Sequence, residues 1–163
     1  VKIEYVNEEK PLGTAGSIGL LPKNLTKLPI LMMNGDVLTK VNFEHLLAFH
    51  QEQKGIATMC IREYDVQIPF GVVNVEKMQA KSIVEKPIQK FFVNAGIYVL
   101  EPELANKVNT NTPIDMPNLL EKQIKIGESV SIFPIHEYWL DIGHMKEYKT
   151  AHDSFSNGFS IDD

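Results

Sequence analysis

The chain has 163 residues, 44% of them hydrophobic, with 21 acidic side chains against 16 lysines and arginines and a formal net charge of -5. That hydrophobic share suffices for one folded core and excludes a disordered segment, while the acidic balance argues against a nucleic-acid binder, which needs a basic stripe. Cys60 is the one cysteine, so no disulfide or thiolate metal site can form within the chain, and no apolar run approaches the roughly eighteen residues of a membrane span; a reducing, cytoplasmic setting is expected, with no nucleic acid and no membrane as partner.

In chain order, residues 2–6 alternate polar and apolar side chains and predict a short strand entering the turn-rich Glu8-Glu9-Lys10-Pro11. Leu12-Gly13-Thr14-Ala15-Gly16 follows. Its spacing fits neither a P-loop nor a dinucleotide fingerprint, and by itself it reads as a flexible turn into a helix. Residues 28–33 form a continuous apolar run ended by Asn34-Gly35-Asp36, the pattern of a parallel strand buried on both faces. Asn42 is suited to cap a helix to about Lys54, with Val41 and Leu46 as a hydrophobic staple, Phe43, Leu46, Leu47 and His50 on one face, and Gly55 as the stop. Residues 56–61 return as a strand, which makes a right-handed crossover.

Alternation on either side of residues 77–80 predicts a hairpin across 70–86 that carries Glu85-Lys86 at a strand end. Pro87 should hold Lys86 extended. Residues 93–100 predict another strand, and Pro102 opens a helix through about Val108. Asp115 is placed to cap a helix bearing Met116, Leu119, Leu120, Gln123 and Ile124 that stops at Gly127. Short strands over 130–133 and 137–140 flank Pro134, a final helix runs from His144 to about Phe155, and the tail 156–163 is expected to fray. With no repeat or internal linker, residues 1–155 read as one domain. The five histidines show no short metal-ligand spacing and read as core or surface residues.

Asp36 ends an apolar strand, where open α/β sheets bind ligands, and Asp141 lies in Trp139-Leu140-Asp141-Ile142-Gly143. Glu85-Lys86-Pro87 sets an acceptor beside a point cation, and Asn94-Ala95-Gly96-Ile97-Tyr98 opens the next apolar strand. Each acid could equally shape a turn through its own backbone. The five motifs in this order resemble the sugar-phosphate nucleotidyltransferases, and in particular mannose-1-phosphate guanylyltransferase-like members.

The resemblance implies a three-layer α/β/α fold with a mainly parallel central sheet. It implies transfer of a nucleotidyl group from a nucleoside triphosphate, GTP favoured, to a sugar 1-phosphate with release of pyrophosphate. Asp36 and Asp141 would hold Mg²⁺, the cofactor, which takes few carboxylates and otherwise waters and substrate phosphates. Gly13 and Thr14, with Asp36, would serve the nucleotide; Glu85 and Gly71 would serve the sugar, Lys86 its phosphate, and Asn94 the same pocket. Catalytic roles fall to Asp36, Lys86 and Asp141, and a homo-oligomer is compatible with the family. Nothing ahead of Leu12 matches the family's glycine-rich triphosphate loop, so a truncated domain, inactive alone, is expected. Two alternatives are a non-catalytic sugar-nucleotide-binding regulatory subunit and a sugar-nucleotide-dependent glycosyltransferase; the second usually carries two acids separated by one residue, where this chain has Asp36 alone.

Overall fold

The computed structural model describes residues 2–23, 27–143 and 145–156. In chain order its elements are α1 (Gly13–Gly16), β1 (Ile30–Met33), β2 (Val37–Thr39), α2 (Phe43–Gln53), β3 (Ala57–Gln67), β4 (Val72–Glu76), β5 (Gln79–Val84), β6 (Ile88–Leu100), α3 (Pro102–Lys107), α4 (Met116–Lys125), β7 (Val130–Pro134), β8 (Trp139–Asp141) and α5 (Met145–Ser156). The central sheet has the order β1-β6-β3-β7. β3 and β7 are parallel, whereas β6 is antiparallel to both β1 and β3. Three of the four strands therefore share one direction, as expected, and β6 is the reversed strand set between β1 and β3.

The alternation of β6 builds the layers. Tyr98 and Leu100 pack on one face with Ala15, Leu104, Met116 and Leu120, while Ile97 and Val99 pack on the other with Leu46, Cys60 and Ile135. Side chains of successive strand residues point to opposite faces, so one buried strand serves both halves of the core. Each fully buried aliphatic side chain contributes about 1.5–3 kcal/mol. Burial pushes the Cys60 thiol up to about 12, with Glu137 adding a smaller push in the same direction.

Local sequence explains most element ends. The Asn42 side chain accepts from the His45 N–H at 2.9 Å and caps α2, and Val41 and Leu46 are both buried, as a staple requires. The helix ends one residue earlier than Gly55 would suggest: Lys54 itself takes the left-handed conformation at φ 54°. Gly55 is needed for another reason, because a Cβ there would lie 2.7 Å from the Ser129 carbonyl oxygen. His50 is 1% exposed and reads as the core residue expected, its ring bonded to Thr58 Oγ1 at 2.8 Å and Glu101 Oε1 at 3.0 Å. Gly127 does stop α4, at φ 87°.

Four local expectations fail. The apolar run 28–33 is not buried on both faces: its strand β1 lies at the edge of the sheet, pairs antiparallel with β6, and alternates half-buried with exposed residues, Leu31 and Met33 facing outward, because no layer among the described residues covers its second face. Residues 2–6 have no regular structure and are exposed; the alternation that suggested a strand finds no partner strand among the described residues. Lys86 is not extended but left-handed, at φ 45°, so the steric preference before proline is overridden where β5 turns into β6. Asp115 precedes α4 but does not cap it with its own side chain. The expected start of the last helix at His144 and the tail 157–163 lie outside the described residues; Met145–Ser156 is helical. Among the described residues no helix is long and apolar enough to cross a membrane.

Candidate functional site

Three of the five motifs meet at the C-terminal end of β1. The Asn34 N–H donates to the Gly96 carbonyl at 2.9 Å. Gly96 has φ 71°, and a Cβ there would sit 2.8 Å from the Asn34 side-chain nitrogen, so only glycine permits this approach. Around it the pairing of β3 with β6 jumps from Met59↔Tyr98 to Ile61↔Asn94, an irregularity that redirects β6. The Trp139 indole N–H donates to the Ala95 carbonyl at 2.8 Å. β8 pairs antiparallel with β2, setting Asp141 opposite Val37, and the Ile142 N–H donates to the Asp36 carbonyl at 2.8 Å. Asp36 and Asp141, distant in sequence, thus lie one step apart on neighbouring strands.

Both aspartates are exposed, and neither carboxylate has a hydrogen-bonding or ion-pair partner among the described residues. No cluster of three His, Cys, Asp or Glu able to hold a metal occurs among them either. Two exposed hard-oxygen donors without protein partners fit a Mg²⁺ ion that draws its remaining ligands from water and substrate phosphates, and do not fit a closed protein cage.

Next to them opens a cleft of about 620 Å³ lined by Asn94, Trp139, Asp141, Gly143, Glu147 and Arg62, among others. Asn94 is already engaged on both sides, donating to the Tyr98 hydroxyl at 2.6 Å and accepting from the Gly96 N–H at 3.0 Å. Burial raises the Tyr98 hydroxyl pKa against the opposing pull of the Asn94 hydrogen bond, with a smaller upward push from Cys60. Glu147 brings a buried carboxylate oxygen, Oε2, that has no hydrogen-bond partner among the described residues.

The other two motifs lie apart from this cleft. At the first, Gly13 has φ 75° and a Cβ would come within 2.6 Å of Asp115 Oδ1. The Thr14 N–H donates to Asp115 Oδ1 at 3.1 Å, and the Met116 N–H donates to Thr14 Oγ1 at 2.8 Å. Each helix start is capped by a side chain from the other. Asp115 does cap a helix, but α1 rather than its own. The Thr14 amide and hydroxyl are both occupied by this exchange.

At the second, β3 and β6 run past the central sheet as a two-stranded arm, Arg62↔Val93 through Gln67↔Ile88, with the β4/β5 hairpin at its tip. The hairpin turn uses Lys77 and Met78, both at positive φ, as its type requires. Gly71 and Glu85 meet there, since a Cβ on Gly71 would lie 2.9 Å from Glu85 Oε2. Glu85 and Lys86 do not line the cleft beside Asp141 and Asn94. From Pro87 to Asn94 the chain advances seven residues of extended strand, roughly 20 Å. Sequence reasoning missed Arg62 and Glu147, which line the cleft and carry no motif; that Arg62 is the one arginine of the chain was the available signal for the first.

The family profile described as nucleotidyl transferase matches residues 1–158. The chain belongs to this family. Among curated nucleotidyl transferases, it is 32% identical to a probable mannose-1-phosphate guanylyltransferase 2 of Arabidopsis thaliana, over 93% of this chain and 43% of that protein. It is 31% identical to the mannose-1-phosphate guanyltransferase of Debaryomyces hansenii, over 91% of this chain and 42% of that protein. The chain thus spans less than half the length of these relatives. The crystal structure of HddC from Yersinia pseudotuberculosis complexed with GMP-PN superposes with a TM-score of 0.68 at 22% identity, covering 94% of this chain and 67% of HddC. A putative glucose-1-phosphate thymidylyltransferase of Bacillus anthracis gives 0.64 at 18% identity, over 90% and 62%. At such identities the likeness establishes the fold: this nucleotidyl transferase chain has the architecture of those enzymes.

Proposed function

We propose that the protein carrying this chain transfers a nucleotidyl group from GTP to a hexose 1-phosphate of the mannose type, forming a nucleotide sugar and pyrophosphate in the cytoplasm. The observation that carries this reading is the meeting of Asn34-Gly35-Asp36, Asn94-Ala95-Gly96 and Trp139-Leu140-Asp141 around one cleft; membership of the family and the guanylyltransferase names of its relatives support the choice of nucleotide and sugar. Asp36 and Asp141 hold Mg²⁺, which when bound offsets the negative charge of the reacting phosphates. Asn94, fixed by Tyr98 and the Gly96 amide, shapes the wall against which the sugar lies. The attacking phosphate oxygen is ionised at neutral pH, so the chain need supply no general base and contributes by positioning. Gly13 and Thr14 serve the nucleotide through backbone groups other than the occupied Thr14 amide, and Glu85 with Gly71 offers acceptors to sugar hydroxyls from the hairpin.

The test is pyrophosphate release by the full-length protein with GTP, Mg²⁺ and a panel of sugar 1-phosphates, with the other nucleoside triphosphates run alongside. Turnover that needs Mg²⁺ and prefers GTP with mannose 1-phosphate is the expected result. A correctly folded protein that releases no pyrophosphate with any pair is a regulatory subunit instead.

A further inference from the structure

We propose that the pocket between α4 and the link from α3 to α4 binds a hexose phosphate, with the buried Gln123 amide as the group that recognises it. Gln123 lies on the inner face of α4 in line with Met116, Leu119 and Leu120, and is 7% exposed. Its Oε1 is buried and has no hydrogen-bond partner among the described residues. An apolar side chain would fill this position freely, whereas an unpaired buried amide oxygen carries the whole penalty of its lost hydration. The amide is therefore built for a group that the chain does not itself supply.

Gln123 lines a cavity of about 180 Å³. Val108, Ile114 and Leu119 give it an apolar lining, and Asn109 and Thr112 join Gln123 as neutral polar groups. The link is held in place by the rest of the chain: Lys23 Nζ donates to the Val108 carbonyl at 2.9 Å, the Thr110 hydroxyl to the Gly19 carbonyl at 2.9 Å, and the Ile114 N–H to the Leu12 carbonyl at 2.8 Å. A preformed wall spares a ligand the cost of ordering it. Lys107 and Lys122, both exposed, add positive charge at the rim. Lys107 reaches Glu128 only at 3.9 Å, and Lys122 makes no ion pair among the described residues.

Amides and hydroxyls both donate and accept, as the hydroxyls of a sugar ring do, while the apolar lining suits the ring's C–H face. The terminal torsion of a glutamine is broad, so either end of the amide can turn to an incoming hydroxyl. No aromatic side chain is among the lining residues to stack a nucleobase. The cavity is smaller than the roughly 300–1,000 Å³ of drug-sized sites and has room for one ring with its charged substituent outside. The two rim lysines await that substituent, a phosphate. The cavity shares no lining residue with the cleft beside Asp141, so it is a second site and not an extension of the first.

The experiment compares the full-length wild type with Gln123→Leu, which removes the amide and keeps its bulk, and with Thr112→Val and Lys122→Ala. Calorimetry follows binding of mannose 6-phosphate, with GMP and free mannose alongside, in the presence and absence of the nucleotide sugar expected as product, which fills the cleft. Mannose 6-phosphate should bind the wild type, more weakly as salt rises. Gln123→Leu should weaken it at least about 10-fold, Thr112→Val about 5-fold and Lys122→Ala about 3-fold. All three should leave kcat and both KM values within about 2-fold of wild type. Without ligand, Gln123→Leu should melt about 2 °C higher, because the unpaired amide is gone.

Undiminished affinity in Gln123→Leu, or a wild type that binds no mannose 6-phosphate, would overturn the proposal. So would GMP bound through Gln123 in place of the hexose phosphate. A Gln123→Leu protein less stable than wild type would mean that the amide is satisfied inside the protein, by the chain or by water, and would overturn it as well. Thr112→Val reads the opposite wall without touching α4: a folded variant with undiminished affinity counts equally against the site. A wild type that turns over no sugar 1-phosphate, yet loses mannose 6-phosphate in Gln123→Leu, would overturn the proposed function and leave this site standing. Turnover as proposed without such binding would do the reverse.

Discussion

The two halves of β6 both carry large apolar side chains and have opposite fates. Residues Ala95 to Leu100 are all buried, whereas Ile88, Phe91 and Phe92 are 58, 49 and 70% exposed. Hydrophobicity alone does not decide this: Gln89, Lys90 and Asn94 make the outer half more polar, yet its two phenylalanines are exposed as well. What differs is company. The inner half is flanked by β1 and β3 and covered on both faces, while among the described residues the outer half has β3 along one edge only and no layer above or below. Strand burial follows from neighbours, and the irregularity at Gly96 marks the boundary where the neighbours stop. The cleft with Asp141 and Asn94 opens at that boundary; the separate β2/β8 pair sets Asp141 beside Asp36, and the arm carries the Glu85-Lys86 pair outside the lining of the cleft.

The sharpest test of this contrast is paired truncation. Ile97→Ala in the inner half should destabilise by about 3 kcal/mol through lost transfer energy and the cavity left behind. Phe92→Ala in the arm should stay within about 0.5 kcal/mol. Urea unfolding measures both, and an equal loss at the two positions would mean that the arm is covered in solution. Slightly smaller in energy, Asp141→Asn at the boundary should lower kcat of the full-length protein about 10²-fold, some 2.7 kcal/mol, with the melting temperature unchanged. A matching loss of stability would reassign Asp141 to a structural part in the β2/β8 pair.

Away from the boundary, the exchanged caps of α1 and α4 should each be worth about 1 kcal/mol. Thr14→Ala and Asp115→Ala combined in a double-mutant cycle by urea unfolding report whether the two helix starts act together. Lack of any destabilisation would release Thr14 entirely to the nucleotide. The smallest effect concerns Cys60, whose thiol is raised from 9.0 to about 12 by burial. The folded state holds this proton more tightly than the unfolded chain, so its stabilisation is complete below pH 9 and fades as pH rises towards about 12. A thiol reagent at pH 8 should therefore react with Cys60 only after unfolding.

Much of this is legible in the sequence. The cap at Asn42 and the hairpin over 70–86 are local signals with local causes, and each appears in the structure; the run ending in Asn34-Gly35-Asp36 is a strand as well, but an edge strand exposed on one face rather than one buried on both. Motif order singled out Asp36 and Asp141, and the structure brings the two side by side through the β2/β8 pairing. The illegible parts depend on tertiary company. Residues 2–6 alternate correctly yet pair with nothing described, and the Thr14–Asp115 exchange spans 101 residues with no sequence mark. The distance between Lys86 and Asn94 depends on whether seven residues fold back or run straight. They run straight, as one continuous strand from Ile88 to Leu100.

The central claim is that Asp36 and Asp141 serve one metal, and the measurement that tests it most directly is the double-mutant cycle on kcat for Mg²⁺-dependent pyrophosphate release. If the two carboxylates share an ion, Asp36→Asn and Asp141→Asn together should be little worse than either alone, because the first loss already abolishes the shared contribution. A double variant whose defect equals the product of the two single defects would contradict the account and separate the acids into independent roles.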